Sequence, residues 1–91
     1  MDELELLERI GAGTLEFCRD QFPNLDQIDR VLRRFAELGY VEKVVRAVYP
    51  VRFAGRRVMS AYVPGGLTAL GEFRRKQLQS EADQATAKHF A

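Results

Sequence analysis

Arg30, Arg33 and Arg34 are spaced so that a helix would carry all three on one polar side, with Gln27 one turn earlier. Arg52, Arg56 and Arg57 follow in a stretch rich in valine and tyrosine. A guanidinium offers a rigid fork of donors that suits phosphate oxygens. Cations on two separate elements orient a polyanion better than a single cluster does. The charge pattern agrees with this chemistry. Residues 1–29 hold eight acidic side chains against two basic, whereas residues 30–58 hold eight basic against two acidic. A net charge of +1 therefore conceals a basic middle third, the pattern of a phosphate-facing surface.

Catalysis finds no foothold in the same residues. His89 is the only histidine and falls in the terminal stretch AKHFA, where fraying is expected, so neither a catalytic dyad nor a metal cluster can be built on it. Cys18 falls among apolar neighbours and reads as a buried structural thiol. Gly11-Ala12-Gly13 follows a helix rather than a strand and lacks a following lysine, so it is not a phosphate loop. No enzyme activity, metal or cofactor is expected.

At 91 residues, 46% hydrophobic and 30% charged, the chain has the composition of an ordinary globular domain with a small core. No apolar run approaches the roughly 20 residues of a membrane span. The acidic start MDELELLERI lacks the basic-then-apolar pattern of an export signal, and one cysteine cannot form an internal disulfide. These features predict a cytoplasmic protein.

The elements that must hold the arginines are legible in outline. Leu4, Leu6, Leu7 and Ile10 predict a helix over 2–10, with acidic residues in its opening turn. Thr14 can cap a second helix over 14–22, LEFCRDQF, with Leu15, Phe17, Cys18 and Phe22 inward. After Pro23, Asn24 with Gln27 has the spacing of a capping box. Leu25, Ile28, Val31, Leu32, Phe35 and Leu38 then give the clearest helical periodicity, over 25–38, and Gly39 ends it as a left-handed cap. YVEKVVRAVYPVRF and RRVMSAYV predict a hairpin over 40–63, turning at Ala54-Gly55, with Pro50 on an edge or at a bulge. Phe53 lies near the predicted tip, available to touch a sugar or a base or to pack within the hairpin. Pro64, Gly65 and Gly66 close the hairpin, and Thr68 caps a last helix over 68–85 carrying the basic run Arg74, Arg75, Lys76. The fold class is mainly α with a β-hairpin, in the order α-α-α-β-β-α.

Two stretches give this order a family likeness. V-L-R-R-F-A-E-L-G-Y-V-E-K, residues 31–43, resembles a recognition helix running through a glycine into the first wing strand of a winged helix-turn-helix domain. L-T-A-L-G, residues 67–71, resembles the L-T-x-x-G that opens the helix after the wing. Together with the element order, the likeness covers residues 4–78 and is nearest to small bacterial regulators of the MarR and PadR type. It implies a transcriptional regulator that binds double-stranded DNA. Gln27, Arg30, Arg33 and Arg34 would meet the major groove, and Arg52, Arg56 and Arg57 the flanking phosphates. It also implies a homodimer, with Leu70, Phe73 and Leu78 of the last helix as its seam. Asp26 and Asp29 depart from the pattern, because a carboxylate beside phosphates repels. Asp26 reads as a partner of the helix dipole, and Asp29 equally as a partner for Arg33 four residues on. The segment Tyr62–Gly66 is longer than the usual step from wing to helix. The rival reading is a protein-interaction module on the same scaffold, docking on transcription machinery.

Overall fold

The computed structural model describes residues 2–51 and 55–90. Its elements are α1 (Glu3–Gly11), β1 (Glu16–Cys18), α2 (Leu25–Leu38), β2 (Val45–Val51), β3 (Gly55–Tyr62) and α3 (Ala69–Phe90). The result is a small α+β fold in which three helices pack with a three-stranded antiparallel sheet of order β1-β3-β2. No described helix is long and apolar enough to cross a membrane.

The first helix forms as its pattern predicts. The Asp2 carboxylate accepts the Glu5 N–H at 2.8 Å and caps it, while Leu6, Leu7 and Ile10 are buried. The second helix predicted over 14–22 does not form. Residues 16–18 are instead strand β1, paired with β3 through Glu16↔Tyr62, Phe17↔Ala61 and Cys18↔Ser60. The observed order is α-β-α-β-β-α. Leu15, Cys18 and Phe22 fit a helical stripe, but Phe17 does not, and Phe17 is the residue that the core buries completely. A helix of eight or nine residues between Gly13 and Pro23 would be marginal by itself. Pairing with β3 satisfies the same backbone and puts Phe17 inside. Phe17 then stacks with Phe22, ring centroids 5.2 Å apart, across the turn that follows.

β2 and β3 form a hairpin, but its first strand starts at Val45 rather than at residue 40, Val41 making only an isolated bridge to Leu67, and Pro50 lies on the edge strand β2. Residues 52–54 at its turn, including Arg52 and Phe53, lie outside the described residues. The pairing steps from Ala47↔Ser60 to Val48↔Val58, so Met59 is an extra residue in β3, a β-bulge. Without it Val58 and Ala61 would point to opposite faces of the sheet. With it both are buried. The irregularity sits here rather than at Pro50.

Two glycine-bearing junctions hold α2, the hairpin and α3 in one arrangement. Gly39 ends α2 in the left-handed region (φ 82°), and its neighbour's N–H, on Tyr40, returns to the Phe35 carbonyl. The Thr68 hydroxyl accepts the Gly71 N–H at 3.1 Å, which caps α3, and donates its own proton to the Gly39 carbonyl. The Thr68 N–H meets the Tyr40 carbonyl at 2.9 Å, and Val41 bridges Leu67. Gly71 faces that same Tyr40 carbonyl so closely that a Cβ there would collide with it. The helix beginning here runs on to Phe90, beyond the predicted end.

Gly71→Ala should therefore force α3 away from the α2–hairpin junction, at a cost of about 1–3 kcal/mol. Thr68→Ala should cost about 1 kcal/mol for the cap. Thermal unfolding followed by circular dichroism checks both. A Gly71→Ala protein that melts with the wild type would refute the docking.

Candidate nucleic-acid interface

The amphipathic pattern of α2 buries Leu25, Ile28, Leu32 and Phe35 and leaves Gln27, Arg30, Arg33 and Arg34 exposed, as the sequence predicts. Two details differ. Val31 is only partly buried, and Leu38 is 43% exposed rather than inside. Both lie to one side of the stripe through Leu25, Ile28, Leu32 and Phe35, and there the helix faces an open cleft instead of the sheet. Asn24 occupies the cap position, but its side chain makes no capping bond. The Gln27 and Ile28 N–H groups bond to its backbone carbonyl instead.

The arginines of α2 divide between two neighbourhoods. Successive helical residues turn by about 100°, so Arg33 and Arg34 point that far apart. Arg33 leans toward the hairpin. Its Nε lies 3.2 Å from Asp29 Oδ2, and Arg46 of β2 reaches the same oxygen at 3.1 Å. Asp29 is 2% exposed, and its Oδ1 has no partner among the described residues. The carboxylate thus joins α2 to β2 across the bulged sheet. The spacing suggested the Arg33 pair. Arg46 was missed, since a partner 17 residues away on another element leaves no local signal.

Arg30 and Arg34 lean the other way, over a cleft of about 550 Å³. Val31, Phe35, Leu38 and Tyr40 supply its apolar lining, and Asp2, Glu3 and Arg74 stand opposite the two arginines. Arg74 Nε hydrogen-bonds Glu3 at 3.2 Å, which holds the guanidinium still more firmly protonated than usual. Arg75 pairs with Glu72 at 2.9 Å, so the basic run of α3 is largely engaged within the molecule, with Lys76 exposed.

Of the wing cations, Arg56 and Arg57 occupy β3 opposite Pro50 and Tyr49, which places them at the far end of the hairpin. Arg52 lies outside the described residues. Arg19, which sequence reading assigned to a helix, is instead a structural clamp. Its Nε and Nη2 donate to the Val58 carbonyl at 2.9 and 2.7 Å, next to the bulge, and Nη2 also reaches Asp26 at 2.8 Å. Asp26 stands in the first turn of α2, so it both faces the dipole and fastens the helix start to β3. The predicted seam of α3 is split as well: Leu70 and Phe73 are 51% and 66% exposed, while Leu78 packs against the core.

Comparison with protein-family models, curated proteins and solved structures finds no match.

Cys18 is half-buried on β1 rather than enclosed in a helix, with Sγ 3.7 Å from Glu16 Oε1. Partial burial, and then the Glu16 carboxylate, raise its thiol pKa above the ordinary value. The reactive thiolate is therefore scarcer at neutral pH than in free cysteine. Iodoacetamide should label Cys18 several-fold more slowly than free cysteine near pH 7.5, the gap narrowing as pH rises through the thiol range. Equal rates at pH 7.5 would contradict this environment.

The Asp29 bridge makes an asymmetric prediction. Removing Arg46 leaves the buried carboxylate with the half-exposed Arg33 as its one remaining partner among the described residues, whereas removing Asp29 frees arginines that already reach water. Arg46→Ala should cost about 2–3 kcal/mol and Asp29→Asn about 1 kcal/mol. Urea unfolding of the two variants checks the order, and the reverse order would contradict the bridge.

Proposed function

We propose that the chain binds double-stranded nucleic acid, DNA in the first instance, through the exposed face of α2 with the β2–β3 hairpin as a flanking arm. The single observation behind this reading is that Gln27, Arg30, Arg33 and Arg34 all stand in solvent on a helix anchored by Leu25, Ile28, Leu32 and Phe35. Among the arginines whose side chains are described, Arg9, Arg19, Arg33, Arg46, Arg74 and Arg75 all have carboxylate partners, and Arg30 and Arg34 have none. Two unpaired guanidiniums one turn apart are ready to exchange condensed counterions for phosphates without first breaking an ion pair. The Asp29 bridge holds α2 and the hairpin as one body, so cations on both meet a duplex in fixed relation. This departs from a helix-turn-helix built of residues 14–38, because a strand and a turn precede α2. The winged-helix likeness is carried by the part from α2 through the hairpin to α3, and a regulatory role in transcription is part of the proposal.

Fluorescence anisotropy with labelled duplexes at two or more salt concentrations tests the reading. Arg30→Ala with Arg34→Ala should weaken binding at least about tenfold and lower the slope of log affinity against log salt by about 2, one counterion-releasing contact per arginine. An absence of wild-type binding even at about 50 mM salt, where phosphate contacts are strong, would end the proposal.

A further inference from the structure

Arg30 and Arg34 do more than face solvent: both line the rim of the same apolar cleft. The opposite rim is acidic but already engaged, since Glu3 holds Arg74 and Asp2 Oδ1 holds the α1 cap. The uncompensated charge is therefore positive and lies along α2. The apolar surface does not stop at the cleft. Leu70 lies against Gly39, between the cleft residues Leu38 and Tyr40, and Phe73 follows one turn along α3 with two-thirds of its surface in water. Large exposed apolar side chains in a continuous strip beside unpaired cations mark an interaction surface.

We propose that this strip, from the cleft to Phe73, docks an acidic amphipathic helix of another protein. Its apolar side would lie on Val31, Leu38, Tyr40, Leu70 and Phe73, and its carboxylates would meet Arg30 and Arg34. A helix suits the groove better than a strand, because the walls are helices whose backbone groups are already bonded internally and offer no edge to extend. A ligand filling the cleft alone would leave Leu70 and Phe73 in water. Among the described residues, a second copy of this chain offers no acidic helix with an open apolar side. The acidic helix α1 has already buried Leu6, Leu7 and Ile10, α2 is cationic, and residues 79–85 of α3 carry no large apolar side chain. Because Arg30 and Arg34 are shared with the proposed nucleic-acid face, such a partner and a duplex would exclude one another.

The test uses the full chain and a fluorescein-labelled helical peptide with leucine and phenylalanine at i, i+3 and i+7 and glutamate on one flank, read without any duplex present. A twin peptide carries lysine for each glutamate. The acidic peptide should bind at least about tenfold tighter than its twin, since like charges meet along α2 in the second case. Arg30→Gln with Arg34→Gln should abolish that preference, and Phe73→Ser should weaken both peptides alike. All three substituted residues are exposed, and circular dichroism confirms that each variant keeps its fold. Equal binding of the two peptides, or none, overturns the proposal. So does a dimer in sedimentation that Phe73→Ser dissolves, which would give the strip to a second copy. Amide shifts from decanoate at the cleft, with neither peptide perturbing Leu70 and Phe73, would also overturn it. None of these results depends on whether duplex binds.

Discussion

The arrangement of the molecule depends on one backbone carbonyl, that of Tyr40. It receives the Thr68 N–H, and Gly71 packs against it with no space for a Cβ. One residue earlier the Gly39 carbonyl takes the Thr68 hydroxyl, and one later Val41 bridges Leu67. Three residues of chain after α2, 39–41, and five before and within α3, 67–71, thus lock together, although the hairpin separates them in sequence. The angle at which α2 leaves the core, the direction of the hairpin and the course of α3 all follow from this contact. A buried backbone acceptor must find a donor, and here the donor comes from the start of the next helix.

Two further ties transmit that arrangement to the surface. The Asp29 carboxylate draws Arg33 and Arg46 together and so sets α2 against β2. Arg19 fastens the start of α2 to β3 beside the bulge at Met59. Both use charged groups set in or against the core, where a carboxylate or guanidinium with too few partners is costly; Asp29 Oδ2 takes two arginines, while Oδ1 has no partner among the described residues. Their effect on function is to sort the arginines. Arg19, Arg33 and Arg46 are engaged in holding elements together, and Arg30 and Arg34 remain unpaired over the cleft. A face that looks uniformly basic in sequence is divided into structural and available charge.

Local physics explains which parts were legible. The period of α2, the left-handed Gly39 and the capping Thr68 each depend on residues close in sequence and appear where their patterns put them, and the valine-rich hairpin forms but starts at Val45 rather than at residue 40. The segment after Gly13 was misread because Leu15, Cys18 and Phe22 imitate a helical stripe, and only pairing with β3 reveals that Phe17 is the buried residue. The outward positions of Gln27, Arg30, Arg33 and Arg34 were readable for the same reason as the helix itself. The Asp29–Arg33 pair was legible in its i, i+4 spacing, but the arrival of Arg46 on the same oxygen was not. Arg46 and Glu3 are distant partners whose proximity to α2 and α3 arises from tertiary packing.

By itself the sequence determined the helix–glycine–hairpin–threonine-capped helix sequence of elements and the polar side of α2, because periodicity and backbone sterics act over a few residues. Tertiary structure alone decided that residues 16–18 join the sheet, that Leu38, Leu70 and Phe73 stay in water, and that Arg30 and Arg34 have no carboxylate partner among the described residues. Those outcomes depend on what each surface meets across the core, and contact between distant segments leaves no mark in local spacing.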